Sequence, residues 1–131
     1  MFTKLYFIAL PVFLVIDLIW LGFIAKDLYA KHLGYLMTTN INWISAIIFY
    51  LLFIVGIVIF VVTPAINKGS LMDALLYGAL FGLITYATYD LTNLATIKDW
   101  PIFITIIDLI WGSTLSALVS VITYSIYLKI S

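Results

Sequence analysis

Three carboxylates, Asp17, Asp90 and Asp108, each interrupt a long apolar run. An ionisable group at membrane depth costs roughly 2.5–3.5 kcal/mol on insertion scales, so it is expected to face the protein interior or a water-filled cavity. Asp90 has the most polar surroundings, Thr85-Tyr-Ala-Thr-Tyr-Asp-Leu-Thr-Asn93. At about 100° per residue, Thr85, Tyr86, Tyr89, Asp90 and Asn93 share one side of a helix, and Gly78 and Gly82 extend the stripe. Asp17 and Asp108 each open the tetrapeptide Asp-Leu-Ile-Trp, which ends at Trp20 and Trp111. Residues three apart are neighbours on a helix face.

Carboxyl groups gathered in low dielectric titrate as an interacting set, which suits the binding and release of a proton. The candidate proton- or ligand-site residues are Asp17, Asp90, Asp108, Asn93, Tyr86, Tyr89, Trp20, Trp111 and His32; no catalytic residue is assigned and no cofactor is implied. Asp17, Asp90, Asp108 and Asn93 offer only oxygen ligands and so also suit a hard cation. Their spacing is not specific for one, and a proton ranks ahead of a metal. The competing reading makes the aspartates fasteners between helices, at ~0.6–2 kcal/mol per polar contact. Three acids in one half of a small bundle exceed what fastening needs. Tyr86 and Tyr89 could donate to a ligand or to the aspartates, or could simply pack with satisfied hydroxyls. Tyr86, one turn before Asp90, and Asn93, three residues after it, are expected to hydrogen-bond Asp90 in either protonation state, so that removing the carboxyl would leave both without their partner. His32 could respond to pH or simply lie at the interface.

The elements that position these groups follow from composition. The chain has 131 residues, 66% of them hydrophobic and 9% charged. Ordinary soluble domains carry about 25% charged residues, so this is an integral membrane protein, read as one domain over residues 1–131. There are six Lys and six Asp, with no Arg and no Glu. No basic cluster suggests nucleic acid as a partner. The absence of cysteine excludes disulfides, thiolate metal sites and cysteine nucleophiles.

Four apolar segments can each cross a ~30 Å hydrocarbon layer: Leu5–Ala25, Trp43–Ile66, Leu71–Ile97 and Pro101–Lys129. The predicted fold is all-α, a polytopic four-helix bundle. The first segment contains Asp17 and lacks a small-x-small cleavage site, so it reads as a retained helix. Pro11 within it is tolerable in a membrane helix, often with a bend. Between the first two spans, Leu28, Tyr29, His32, Tyr35 and Leu36 share one helical face opposite Asp27 and Lys31, which predicts a short interfacial helix. Asn42 is positioned to cap the second span. Ser70-x-x-Asp73 has capping-box spacing before the third, and Asp99 with Pro101 reads as the start of the fourth. Gly78-Ala-Leu-Phe-Gly82 is a G-x-x-x-G packing signal that also leaves room for a homodimer.

Orientation is undetermined, because Lys4, Lys68 and Lys129 fall on one side and Lys26, Lys31 and Lys98 on the other. With four spans, however, Asp17, Asp90 and Asp108 all fall in the same half of the membrane. They are expected to share one pocket, with Asn93, Tyr86 and Trp111 at its edge.

At Asp17–Trp20, Gly78–Gly82, Thr85–Asn93, Trp100-Pro101 and Asp108–Gly112 the chain resembles a bacterial family of small four-helix membrane proteins, the 2177 family, known only as a domain of unknown function. The resemblance spans essentially the whole chain. It implies a multi-pass protein of the bacterial inner membrane and no particular activity. From the residues, the leading function is proton-coupled or small-molecule transport or permeability. The alternatives are a membrane enzyme or lipid-binding protein acting on a lipid-soluble substrate, and a structural or assembly subunit. The partners this entails are the bilayer and a small or lipid-like ligand.

Overall fold

In a computed structural model describing residues 1–131, the chain forms five helices and no strands. Four are long and apolar enough to cross a membrane: α1 (Phe2–Ile24), α3 (Trp43–Lys68), α4 (Leu71–Thr96) and α5 (Ile102–Ile130). The short α2 (Lys26–Leu33) lies between the first two. The spans alternate in direction, and the two termini meet at one end. There Lys4 Nζ donates to Ser131 Oγ at 3.5 Å and stands 5.2 Å over the Tyr127 ring.

Local chemistry explains most boundaries. Asn42 caps α3 by accepting from the Ser45 N–H at 3.1 Å, and Ser70 caps α4 through the Asp73 N–H at 3.0 Å. Asp73 does not reach back as a capping box would. It pairs instead with Lys68, 3.0 Å away, across the turn, whose αL residue is Gly69.

The start of α5 differs from expectation. Asp99 adopts a left-handed conformation, φ 63°, and its side chain caps nothing. Pro101 takes the N-cap position. Thr105 and Trp100 staple this end: Thr105 Oγ1 donates to the Pro101 carbonyl and accepts from the Trp100 indole, both at 3.1 Å. A carboxylate that bends the chain through the left-handed region is no longer aimed at the first free N–H groups.

Two widened, π-helical turns also lie outside what periodicity predicts, at Trp20–Ile24 and Val58–Val62. Pro64 accounts for the second: it offers no N–H to the Phe60 carbonyl and its ring crowds that oxygen, so the turn before it opens. Pro11 causes no break in α1.

The apolar core occupies the half of the bundle nearest the termini. Leu5, Ala9 and Phe13 of α1 meet Ile54, Ile57, Val58, Val62 and Ala65 of α3, with Ala74, Leu115, Val119 and Tyr124. Close backbone approach joins α4 to α5. A Cβ on Gly82 would overlap the Gly112 carbonyl, and one on Gly78 would press on Ser120. The G-x-x-x-G is thus engaged within the chain and carries no argument for a second copy. On α3, the widened turn Val58–Val62 packs against α1, α4 and α5, whereas Trp43–Ile57 packs mainly on α1. The bundle is therefore tight at the terminal side and splayed between α3 and α4 at the other.

Candidate functional site

The splay leaves a cavity of about 670 Å³ in the half of the bundle away from the termini. Each helix contributes to its wall: Asp17, Trp20 and Leu21 from α1, Tyr29 from α2, Ala46, Phe49 and Tyr50 from α3. Thr85, Tyr86, Thr88 and Tyr89 of α4 and Asp108 and Trp111 of α5 complete it. Asp17 and Asp108 are 6% and 8% exposed, so both carboxyl groups reach the cavity while nearly buried.

The two Asp-Leu-Ile-Trp motifs meet there. Trp20 and Trp111 stack with ring centroids 4.3 Å apart and planes 8° from parallel. Asp17 faces Trp111 and Tyr50. Trp20 Nε1 donates to the Tyr29 hydroxyl at 3.2 Å, and that hydroxyl donates to Asp108 Oδ1. The widened turn Trp20–Ile24 sits where α1 turns into α2, between the two residues this chain of bonds joins. Tyr86 lays its ring over Gly112, where a Cβ would strike it.

Asp90 lies behind this wall. It is fully buried, and neither carboxyl oxygen receives a hydrogen bond. Its polar neighbour is Asp108, whose carboxyl faces it across the α4–α5 contact. Ionised carboxylates only accept hydrogen bonds, so with both acids ionised this pair lacks a donor between its members, and one proton would supply it.

Of the candidate residues, the structure brings Asp17, Trp20, Tyr86, Tyr89, Asp108 and Trp111 to one cavity. Asp90 adjoins it through Asp108, so the three acids form a row rather than one shared pocket. The hydrogen bonds expected from Tyr86 and Asn93 to Asp90 do not form. The Tyr86 ring is committed to Gly112, and Asn93 lies one turn nearer the helix end, off the cavity wall. His32 is also outside, bonded through Nδ1 to the Leu28 carbonyl at 3.0 Å and packed on Phe103. No three histidine or acidic side chains come close enough to hold a metal ion. The hard-cation alternative for Asp17, Asp90, Asp108 and Asn93 therefore has no such cluster behind it, and Asp90 and Asn93 are not among the residues of the cavity wall.

Sequence reasoning missed Tyr29 and Tyr50. Tyr29 falls on the apolar face of α2 that predicts an interfacial helix, and that face turns to the bundle, where Tyr29 meets Trp20 and Asp108. The signal for Tyr50 is that it is the one phenol of α3, at the depth of Asp17.

Burial, then the hydrogen bond and charge of Asp108, push the Tyr29 phenol above its ordinary value. Stabilisation from a raised group is fully present below its unfolded value, ~10 for a phenol, and is lost as pH rises through the folded one. Tyr29→Phe is expected to lower stability by about 1–3 kcal/mol at neutral pH, because it leaves Asp108 Oδ1 and the Trp20 N–H without their partner. Thermal unfolding in detergent checks this. Equal stability of variant and wild type at pH 7 would show the contact to be dispensable.

Residues 2–125 match a family described as predicted membrane protein, DUF2177. The chain belongs to that family. The match takes in all four spans, both Asp-Leu-Ile-Trp motifs and the Thr85–Asn93 segment, so every residue of the cavity wall lies inside the family's extent. No curated protein and no solved structure matches the chain.

Proposed function

We propose that this member of the family binds a small lipid-soluble molecule in the cavity between α3 and α4 and moves it in exchange for protons, as a transporter or permeability factor of a bacterial inner membrane. The observation that carries this reading is the cavity itself. Its volume, about 670 Å³, falls in the range of ligand sites, ~300–1,000 Å³, and its aromatic wall is interrupted by two nearly buried carboxyl groups. The splay of α3 from α4 supports access from the bilayer. The closed core at the terminal side supports a site reached from one side at a time, which is what alternating access requires. Asp90 supports the proton coupling: a proton shared with Asp108 supplies the missing donor, and a ligand engaging Asp108 would compete for it.

The test is to purify wild type and Ala46→Trp in native lipid discs and compare the small molecules extracted from each. Ala46 lines the cavity on its α3 side and is only partly buried, so an indole there fills the space without breaking the terminal-side core. A compound enriched in wild type and absent from Ala46→Trp is expected. Added to proteoliposomes, it should drive proton flux with wild type alone. Identical extracts from two folded proteins would remove the ligand reading, and binding without flux would remove transport.

A further inference from the structure

Every charged group at the cavity is an acid. Asp17 and Asp108 line it and Asp90 backs onto Asp108, while the six lysines stand at span ends or in the connecting segments. The sole ion pair, Lys68 with Asp73, spans the turn at the terminal side. The chain offers these acids hydrogen-bond donors, Tyr29 to Asp108 and Tyr50 and Trp111 to Asp17, but no positive charge, which is left to protons or the ligand. The aromatic wall points the same way, because the π-faces of Trp and Tyr carry negative potential and attract cations.

We infer that the ligand is an amphipathic monovalent organic cation, its charged head between Asp17 and Asp108 and its apolar body along the aromatic wall toward the α3–α4 opening. This rests on the binding reading above and adds the ligand's charge. An anion would meet two carboxyl groups and no cationic side chain on the wall. A neutral molecule could donate a hydrogen bond to the acids but brings no opposite charge, and hydrogen bonds between ionised partners are the stronger ones. A bare metal ion lacks a ligand set here and would leave the apolar wall unused. The fully buried Asp90, with neither oxygen partnered, keeps a second carboxyl against Asp108 and so favours positive charge at the head position.

The titratable groups facing this position are Tyr29 of α2, Tyr50 of α3, and Asp90, Tyr86 and Tyr89 of α4, besides Asp17 and Asp108 themselves. No histidine or lysine is among them; His32 packs on Phe103. Protonation of the acids removes negative charge, so acid pH weakens cation binding.

The test uses the full chain in zwitterionic lipid nanodiscs and three probes of one shape: 4-phenylbutyltrimethylammonium, 4-phenylbutanol and 4-phenylbutyrate. Equilibrium dialysis against empty discs measures saturable retention of each. The cation is expected to bind at least about tenfold more tightly than the alcohol, with the carboxylate no higher than in empty discs. Asp17→Asn and Asp108→Asn, near-isosteric, should each reduce cation affinity about tenfold or more, and wild-type affinity should fall as pH is lowered. If the alcohol binds as tightly as the cation, the charge inference is overturned while the cavity reading survives. If folded wild type retains none of the probes above empty discs, both fall. The wild-type preference decides the matter even if a variant does not fold.

Discussion

Gly82→Ala is expected to destabilise the bundle by about 3 kcal/mol or more, at or beyond the top of the usual range for overpacking. The added Cβ would overlap the Gly112 carbonyl and crowd the Ser116 Cβ. Rotation of a side chain cannot relieve a clash with main chain, so α4 and α5 must move apart. Their separation also sets how closely Asp90 approaches Asp108, so the same substitution should expose Asp90 and disturb the cavity wall. Gly22→Ala is the control. Nothing lies within 4 Å of its Cβ position, and its effect should stay within about 1 kcal/mol. Unfolding of both variants in one detergent by calibrated denaturant titration gives the comparison. Similar stabilities would mean that α4 and α5 are not held in backbone contact.

Asp90→Asn is expected to raise stability, by about 1–3 kcal/mol, while reducing the pH dependence of ligand binding. A buried acceptor left without a donor costs about that much, and both Asp90 oxygens are in that condition. The amide keeps the shape of the side chain and supplies an N–H toward the Asp108 carboxyl. The sequence predicts that Tyr86 and Asn93 bond to Asp90 and lose their partner when it is removed. The structure reverses that expectation, because neither residue bonds to it. Thermal unfolding of wild type and variant at neutral pH measures the first effect, and probe retention across pH the second. A destabilised Asp90→Asn would mean that the carboxyl has a protein partner that the amide does not satisfy. Unchanged pH dependence would assign proton coupling to Asp17 or Asp108 instead.

The sequence alone determined what depends on local interactions. Each span is visible because some twenty consecutive residues must be apolar to cross the hydrocarbon. Asn42 and Ser70 are legible as caps because a cap joins residues two or three apart. The depth of Asp17, Asp90 and Asp108 follows from counting along the spans, so their common half of the bundle needed no coordinates.

Which groups touch was decided by tertiary structure. Tyr29 reaches Asp108 across 79 positions of sequence, Trp20 stacks on Trp111, and Asp90 lies behind the wall that its neighbours form. Such contacts depend on how each helix is rotated about its axis, and in a membrane span the sequence barely records that rotation. Phe13 is fully buried and the adjacent Leu14 is exposed, yet both are apolar, because lipid outside and packed side chains inside favour the same residues. Where water is the outer solvent, hydrophobic periodicity reveals the inward face. Here only the rare polar residues mark it, and one residue of helical rotation, about 100°, separates an acid in the cavity from an acid behind its wall.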